Sequence, residues 1–291
     1  MASSVRESEA PFEMPVLRTD DLIVDAGAGQ LSWSHAAFAL TMISLGILGF
    51  IYGDFALDWQ RIPIEHLPAR SFFAYAFAAI ELVTGVGLLI RSTAKLVSAA
   101  LLIFLLLWAV LLKLPAVLSV PQMEATWLGL GEITVILAGG WVLFALHARD
   151  GKSQTFATGA KGVRNARLLF ALSLPMIGLS HFFYSPQTVE LMPAWLPYHL
   201  GWAYLTGAGS IAACIGVLFG FLPRLAATLE AAMLGIITLV IWGPGLFTHS
   251  TDRMQWTAFV ISAAIACGAW VVADSYRGAP WLAGRADGHR L

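Results

Sequence analysis

The stretch from Pro68 to Pro115 reads PARSFFAYAFAAIELVTGVGLLIRSTAKLVSAALLIFLLLWAVLLKLP. Two apolar runs flank a short basic turn holding Arg91 and Lys95, and a single acid, Glu81, sits inside the first run. Each run is about 20 residues long, the length a hydrocarbon core requires. Lipid offers no partner for backbone N–H and C=O groups, so such runs must be helices or strands of a closed barrel, and strand-like alternation is absent. The stretch is a membrane hairpin. Its pattern returns 129 positions later, from Pro197 to Pro244, with Ser210 in the place of Glu81.

Composition agrees with a bilayer as solvent. Hydrophobic residues make up 58% of the 291-residue chain and charged residues 12%, with a mean hydropathy of +0.75. A water-facing surface needs about twice that charge. A net charge of −1 argues against nucleic acid as a partner, since that requires a basic patch or stripe. Cys214 and Cys267 both lie in apolar runs and read as buried free thiols. The acidic residues 1–32 have no apolar core before a small-residue cleavage site, and read as a solvated tail rather than a leader.

Working outward from the hairpin, eight spans are predicted, at 33–53, 70–90, 95–117, 126–147, 167–184, 199–220, 224–247 and 254–273. Thirteen of the 17 Lys and Arg residues fall on one side of that topology, which the positive-inside rule makes cytoplasmic for both termini. The fold class predicted is an all-α integral membrane protein. Its eight transmembrane helices form two parallel four-helix repeats, 33–147 and 167–273, joined by a cytoplasmic linker at 148–166 and followed by a tail at 274–291. At an offset of 129, Pro68, Tyr75, Gly87, Pro115, Trp127, Gly139 and Trp141 meet identical residues, and at 132 so do Phe38, Gly46, Phe50 and Tyr52.

The second span, Ile80-Glu81-Leu82-Val83-Thr84-Gly85-Val86-Gly87-Leu88-Leu89, carries an acid before a glycine-rich exit, and the third closes on Leu111-Leu112-Lys113-Leu114-Pro115. In these features each half resembles the DoxX family of bacterial membrane proteins. A related subgroup often has His where this chain has Lys113 and Trp242. The resemblance implies a four-helix bundle per unit, residence in the bacterial inner membrane, and for some members a place in quinone-linked redox systems such as thiosulfate:quinone oxidoreductase, with a soluble or membrane redox partner.

Ionisable groups at bilayer depth cost about 2.5–3.5 kcal/mol on insertion scales and point to function. Glu81 is the deepest, and is read either as a proton-handling or ligand-orienting acid or as a neutral group bonded to a neighbouring helix. Glu132 and His181 are further candidates, and Tyr52, Asp54, Tyr184 and His199 are placed at the mouth of an outward cavity. The proline-bearing loops 61–68 and 192–197 are read as a lid over that mouth. Glu230 and Lys113 read as shallow side chains that snorkel to the interface. Trp141 and Trp270 read as helix-packing residues, with stacking on a quinone ring as the alternative. No His, Glu or Cys pair has the spacing of a dimetal bundle, so no metal is assigned. Haem held by His35 and His181 is the weaker of the cofactor readings and a quinone the stronger.

Charge does not follow the repeat: Glu81 faces Ser210, Leu101 faces Glu230 and Gly49 faces His181. One asymmetric site is predicted. Three functions stay open: a quinone-linked redox component binding an apolar molecule near Glu81, a transporter or lipid-binding protein, and a scaffold without catalysis.

Overall fold

The computed structural model describes residues 32–55, 68–148, 155–248 and 251–282, and all regular structure among them is helical. Eight helices are long and apolar enough to cross a membrane: α1 Trp33–Tyr52, α2 Arg70–Leu88, α3 Ala94–Ser119, α4 Glu124–His147, α5 Gly159–Phe183, α6 His199–Phe219, α7 Pro223–Thr248 and α8 Arg253–Asp274. The molecule is a multi-pass membrane protein. Twenty residues of helix rise about 30 Å, which matches the hydrocarbon core. Leu96, Phe72 and Leu239 are exposed on the outer faces of their helices, where lipid takes the place of water. Ser34 Oγ donates to Asp274 Oδ2 at 2.6 Å and ties the start of α1 to the end of α8. We call this the proximal face, and the opposite one the distal face.

Seven of the eight spans lie within a few residues of the sequence reading; the fifth differs. It begins at Gly159 rather than 167, because Lys161 and Arg164 point outward while Gly162, Val163 and Ala166 are buried at helical spacing. The basic linker therefore contributes two turns of amphipathic helix.

Both α3 and α7 are interrupted by a π turn, Ala109–Lys113 in one and Thr238–Trp242 in the other. Pro115 and Pro244 come next, and proline has no N–H and crowds the carbonyl four residues back. Widening the turn accommodates this: Leu114 N bonds Ala109 O, and Gly243 N bonds Thr238 O. The starts of α2 and α6, α3 and α7, and α4 and α8 are each 129 residues apart, as are the two π turns. Ala69 and Tyr198, also 129 apart, both take the left-handed conformation at the head of their helices (φ 55° and 60°). For residues with a side chain this costs roughly 1–2 kcal/mol each.

Each half packs in series, α1 on α2, α2 on α3 and α3 on α4, with the same order from α5 to α8. The fourth helix of each half then packs on the first helix of the other: α4 on α5, and α8 on α1. This departs from two separately closed bundles. Its cause is the contact between α4 and α8, where a Cβ on Gly139 would lie 2.7 Å from Gly268 Cα. With no side chain on either residue the two backbones touch, and the central helices are the most buried of the eight.

Candidate functional site

On the distal face α1, α2 and α8 enclose a narrow cavity of about 20 Å³. That is room for about one water, far below what a ring or an isoprenoid chain needs. Leu45, Leu48 and Gly49 of α1 and Ala74, Phe77 and Ala78 of α2 form its apolar walls. Glu81 lies at its inner end, 8% exposed. Among the described residues the Glu81 side chain has no hydrogen-bond or ionic partner, so its carboxyl relies on what enters the cavity.

The mouth is charged. Asp54 sits just past the end of α1 and accepts from Arg70 Nε at 2.9 Å and from the Phe55 N–H at 2.8 Å. Arg70 Nη2 lies 2.7 Å from the same oxygen, and Arg253 Nη1 approaches Oδ2 at 3.4 Å. Arg253 also donates to Phe55 O at 2.6 Å, and its guanidinium stands 5.5 Å from the centre of the Tyr52 ring. Burial pushes the Asp54 carboxyl up, but the Phe55 N–H and the two guanidiniums outweigh it and hold the group below the ordinary carboxylate range. Its stabilising contribution is therefore present above the usual carboxylate pKa of about 4 and is lost as pH falls through the lowered value.

Asp54→Asn is expected to leave both arginines without a carboxylate. Because all three groups are about a quarter exposed, the loss should be only about 1–2 kcal/mol. Thermal unfolding in detergent should show that gap at neutral pH and show it closing as pH falls below the usual carboxylate pKa of about 4. A gap independent of pH would assign the effect to packing instead.

Of the candidates read from sequence, Glu81, Tyr52 and Asp54 converge here, and Glu132, His181, Tyr184 and His199 line other places. Glu132 acts on Lys113, which is buried to 9% exposure instead of snorkelling. His181 Nδ1 lies 3.3 Å from Thr206 Oγ1 between α5 and α6. Tyr184 Oη accepts from the Ala125 N–H at 3.2 Å, and His199 Nε2 lies 3.1 Å from Pro193 O. The segment 192–197 thus belongs to the second half and does not cover the Glu81 cavity, while 61–67 lies outside the described residues. His35 is at the proximal start of α1 and His181 near the distal end of α5, so one haem cannot take both. His35 stands beside His147 instead, ring centres 5.2 Å apart, and no group of three or more metal-ligating side chains occurs among the described residues.

Three features escaped the sequence reading. Arg253 and Thr257 reach the cavity from α8, some 200 residues from Asp54 along the chain. Glu230 is 2% exposed, not snorkelling, and accepts from Ser210 Oγ at 2.9 Å. Its signal was available: Ser210 lies 129 residues after Glu81, and the acid it bonds sits on the neighbouring helix. Glu124, at the repeat position of Arg253, is 8% exposed with neither carboxyl oxygen bonded among the described residues. No family model, curated protein or solved structure matches this chain, so the likeness to DoxX proteins rests on the residues quoted above.

Proposed function

We propose that this is a proton-handling membrane protein built from two copies of a DoxX-like four-helix unit, 33–147 and 167–273, with both termini cytoplasmic, in a bacterial inner membrane. The matched helix starts and π turns at an offset of 129 support the duplication. The excess of Lys and Arg on the proximal side supports the orientation. The observation that carries the functional reading is one carboxyl, Glu81, with no protein partner among the described residues, at the inner end of a water-sized cavity whose mouth is the Asp54–Arg70–Arg253 cluster.

Such an arrangement can pass a proton between Glu81 and the distal solvent through water, while the guanidiniums discourage other cations. The water-sized space between Phe77, Leu45 and Leu48 supports a proton rather than an apolar ligand as what Glu81 handles. The redox role implied by the family resemblance takes this form: the chain supplies or removes protons beside a partner that carries the electrons.

The test is infrared difference spectroscopy of the reconstituted protein between two pH values. The carbonyl-stretch band of a protonated carboxyl should titrate with external pH, and the part assigned to Glu81 should vanish in Glu81→Gln. Gln is nearly isosteric, and thermal stability should stay within about 1 kcal/mol of the parent. Identical difference spectra for the two proteins would remove Glu81 from any proton role.

A further inference from the structure

A second cavity is much larger than the one at Glu81. It is a groove of about 630 Å³ between α7 and α8, opening at the proximal face. It runs from Arg224 at the start of α7 to Thr238 and Leu239, fourteen residues of helix or roughly 20 Å, which exceeds the ~15 Å depth of one hydrocarbon leaflet. Its floor is made of small residues. Ala231, Ala232, Gly235, Ala266 and Ala273 occur where the first half has Leu102, Ile103, Leu106, Leu137 and Phe144, each 129 residues earlier. A Cβ on Gly235 would meet nothing within 4 Å.

In the first half the tryptophan at the corresponding position, Trp141, is covered by the chain itself. Phe156 packs against Trp141 with ring centres 5.5 Å apart, and Trp141 Nε1 donates to Ala157 O at 3.0 Å. Trp270, the counterpart of Trp141, is 42% exposed and lines the groove; it is not the packing residue read from the sequence.

The proximal end of the groove is polar and carries surplus positive charge. Arg277 pairs with Asp274 Oδ1 at 2.5 Å, and the other oxygen of Asp274 accepts from Ser34. Arg224 has no carboxylate partner among the described residues. Its guanidinium donates to Ala279 O at 2.6 Å and lies 3.9 Å from the centre of the Trp281 ring. Two guanidiniums against one carboxylate, beside a tryptophan at the depth of the headgroups, suit a phosphodiester. The apolar slot below it suits an acyl chain.

We propose that the groove between α7 and α8 binds one anionic diacyl phospholipid of the surrounding bilayer, with its phosphate at Arg224 and Arg277 and one acyl chain lying over Gly235 and Ala266. The site is independent of the Glu81 reading, since the two lie on opposite faces and share no residue.

The test is native mass spectrometry of the full-length protein, delipidated in detergent and titrated with phosphatidylglycerol or phosphatidylcholine. One phosphatidylglycerol should remain bound, in preference to phosphatidylcholine. Gly235→Leu projects from a position where the Cβ meets open space and so fills the slot, and excluding two or more methylenes should weaken binding at least about tenfold. Arg224→Gln should erase the preference between the two headgroups while leaving chain binding in place. Thermal unfolding without lipid should match the parent for both variants, which separates lost binding from lost folding. Equal retention of phosphatidylglycerol by the parent and Gly235→Leu would overturn the proposal. So would a neutral amphiphile, such as a quinone, that is lost in Gly235→Leu and indifferent to Arg224→Gln.

Discussion

Gly139→Val is expected to abolish the assembled protein. A Cβ at that position would stand 2.7 Å from Gly268 Cα and 2.9 Å from Gly268 O, and both atoms are backbone. Neither can yield as a flexible side chain would, so α4 and α8 must separate. Overpacking a core by a methylene or two costs about 1–3 kcal/mol where neighbours can adjust. Here three heavy atoms enter a crossing on which the contacts between the halves depend, and the loss should exceed that range. Size-exclusion chromatography in mild detergent should show the monodisperse peak replaced by aggregate. Gly235→Ala, where the added methyl meets open space, should elute as the parent does. A Gly139→Val protein with the parent's elution and melting curve would refute the close crossing.

The second large effect concerns Lys113 and Glu132. The π turn adds a residue to its turn of α3 and so rotates the remainder of that helix by about 100° around the axis. Lys113, the last residue of that turn, is buried toward α4, and a methyl on Gly129 would lie 3.3 Å from its Nζ. Glu132 supplies the opposing charge. Lys113 is buried and Glu132 half-buried, so Glu132→Met leaves the ammonium without that opposing charge and should cost about 1–3 kcal/mol. Replacing both by methionine removes the stranded charge and should recover part of that loss. Unfolding of the two single variants and the double variant in detergent measures the coupling. Additive losses would mean that the two charges do not depend on each other.

How much of this was legible in the chain differs by type of feature. The spans were, because lipid demands long uncharged helices and leaves little choice of length. So were the two prolines that provoke π turns, although the turns themselves were not, because proline alone does not say whether a helix kinks, breaks or widens. Glu81 stood out as an acid at depth, and Tyr52 and Asp54 as neighbours of the distal end of the same hairpin. Lys113, Glu132 and Glu230 were misplaced for one reason. Depth along a helix can be counted from sequence, but whether a side chain faces lipid or protein depends on rotation about the axis, which neighbouring helices set.

By itself, then, the amino-acid sequence determined a helical membrane protein with eight spans, an internal offset of 129 and one deep acid in the first half. Those properties come from local length, hydropathy and recurrence. The tertiary structure decided that α8 lies against α1, and with that it brought Arg253 to Asp54 and closed a water-sized cavity above Glu81. It also decided that Trp270 lines an open slot while Phe156 packs against its counterpart, Trp141. Both outcomes depend on which helices meet, and in a chain that is apolar on every face hydrophobicity cannot choose the partners. Close backbone contacts such as Gly139 on Gly268 make that choice.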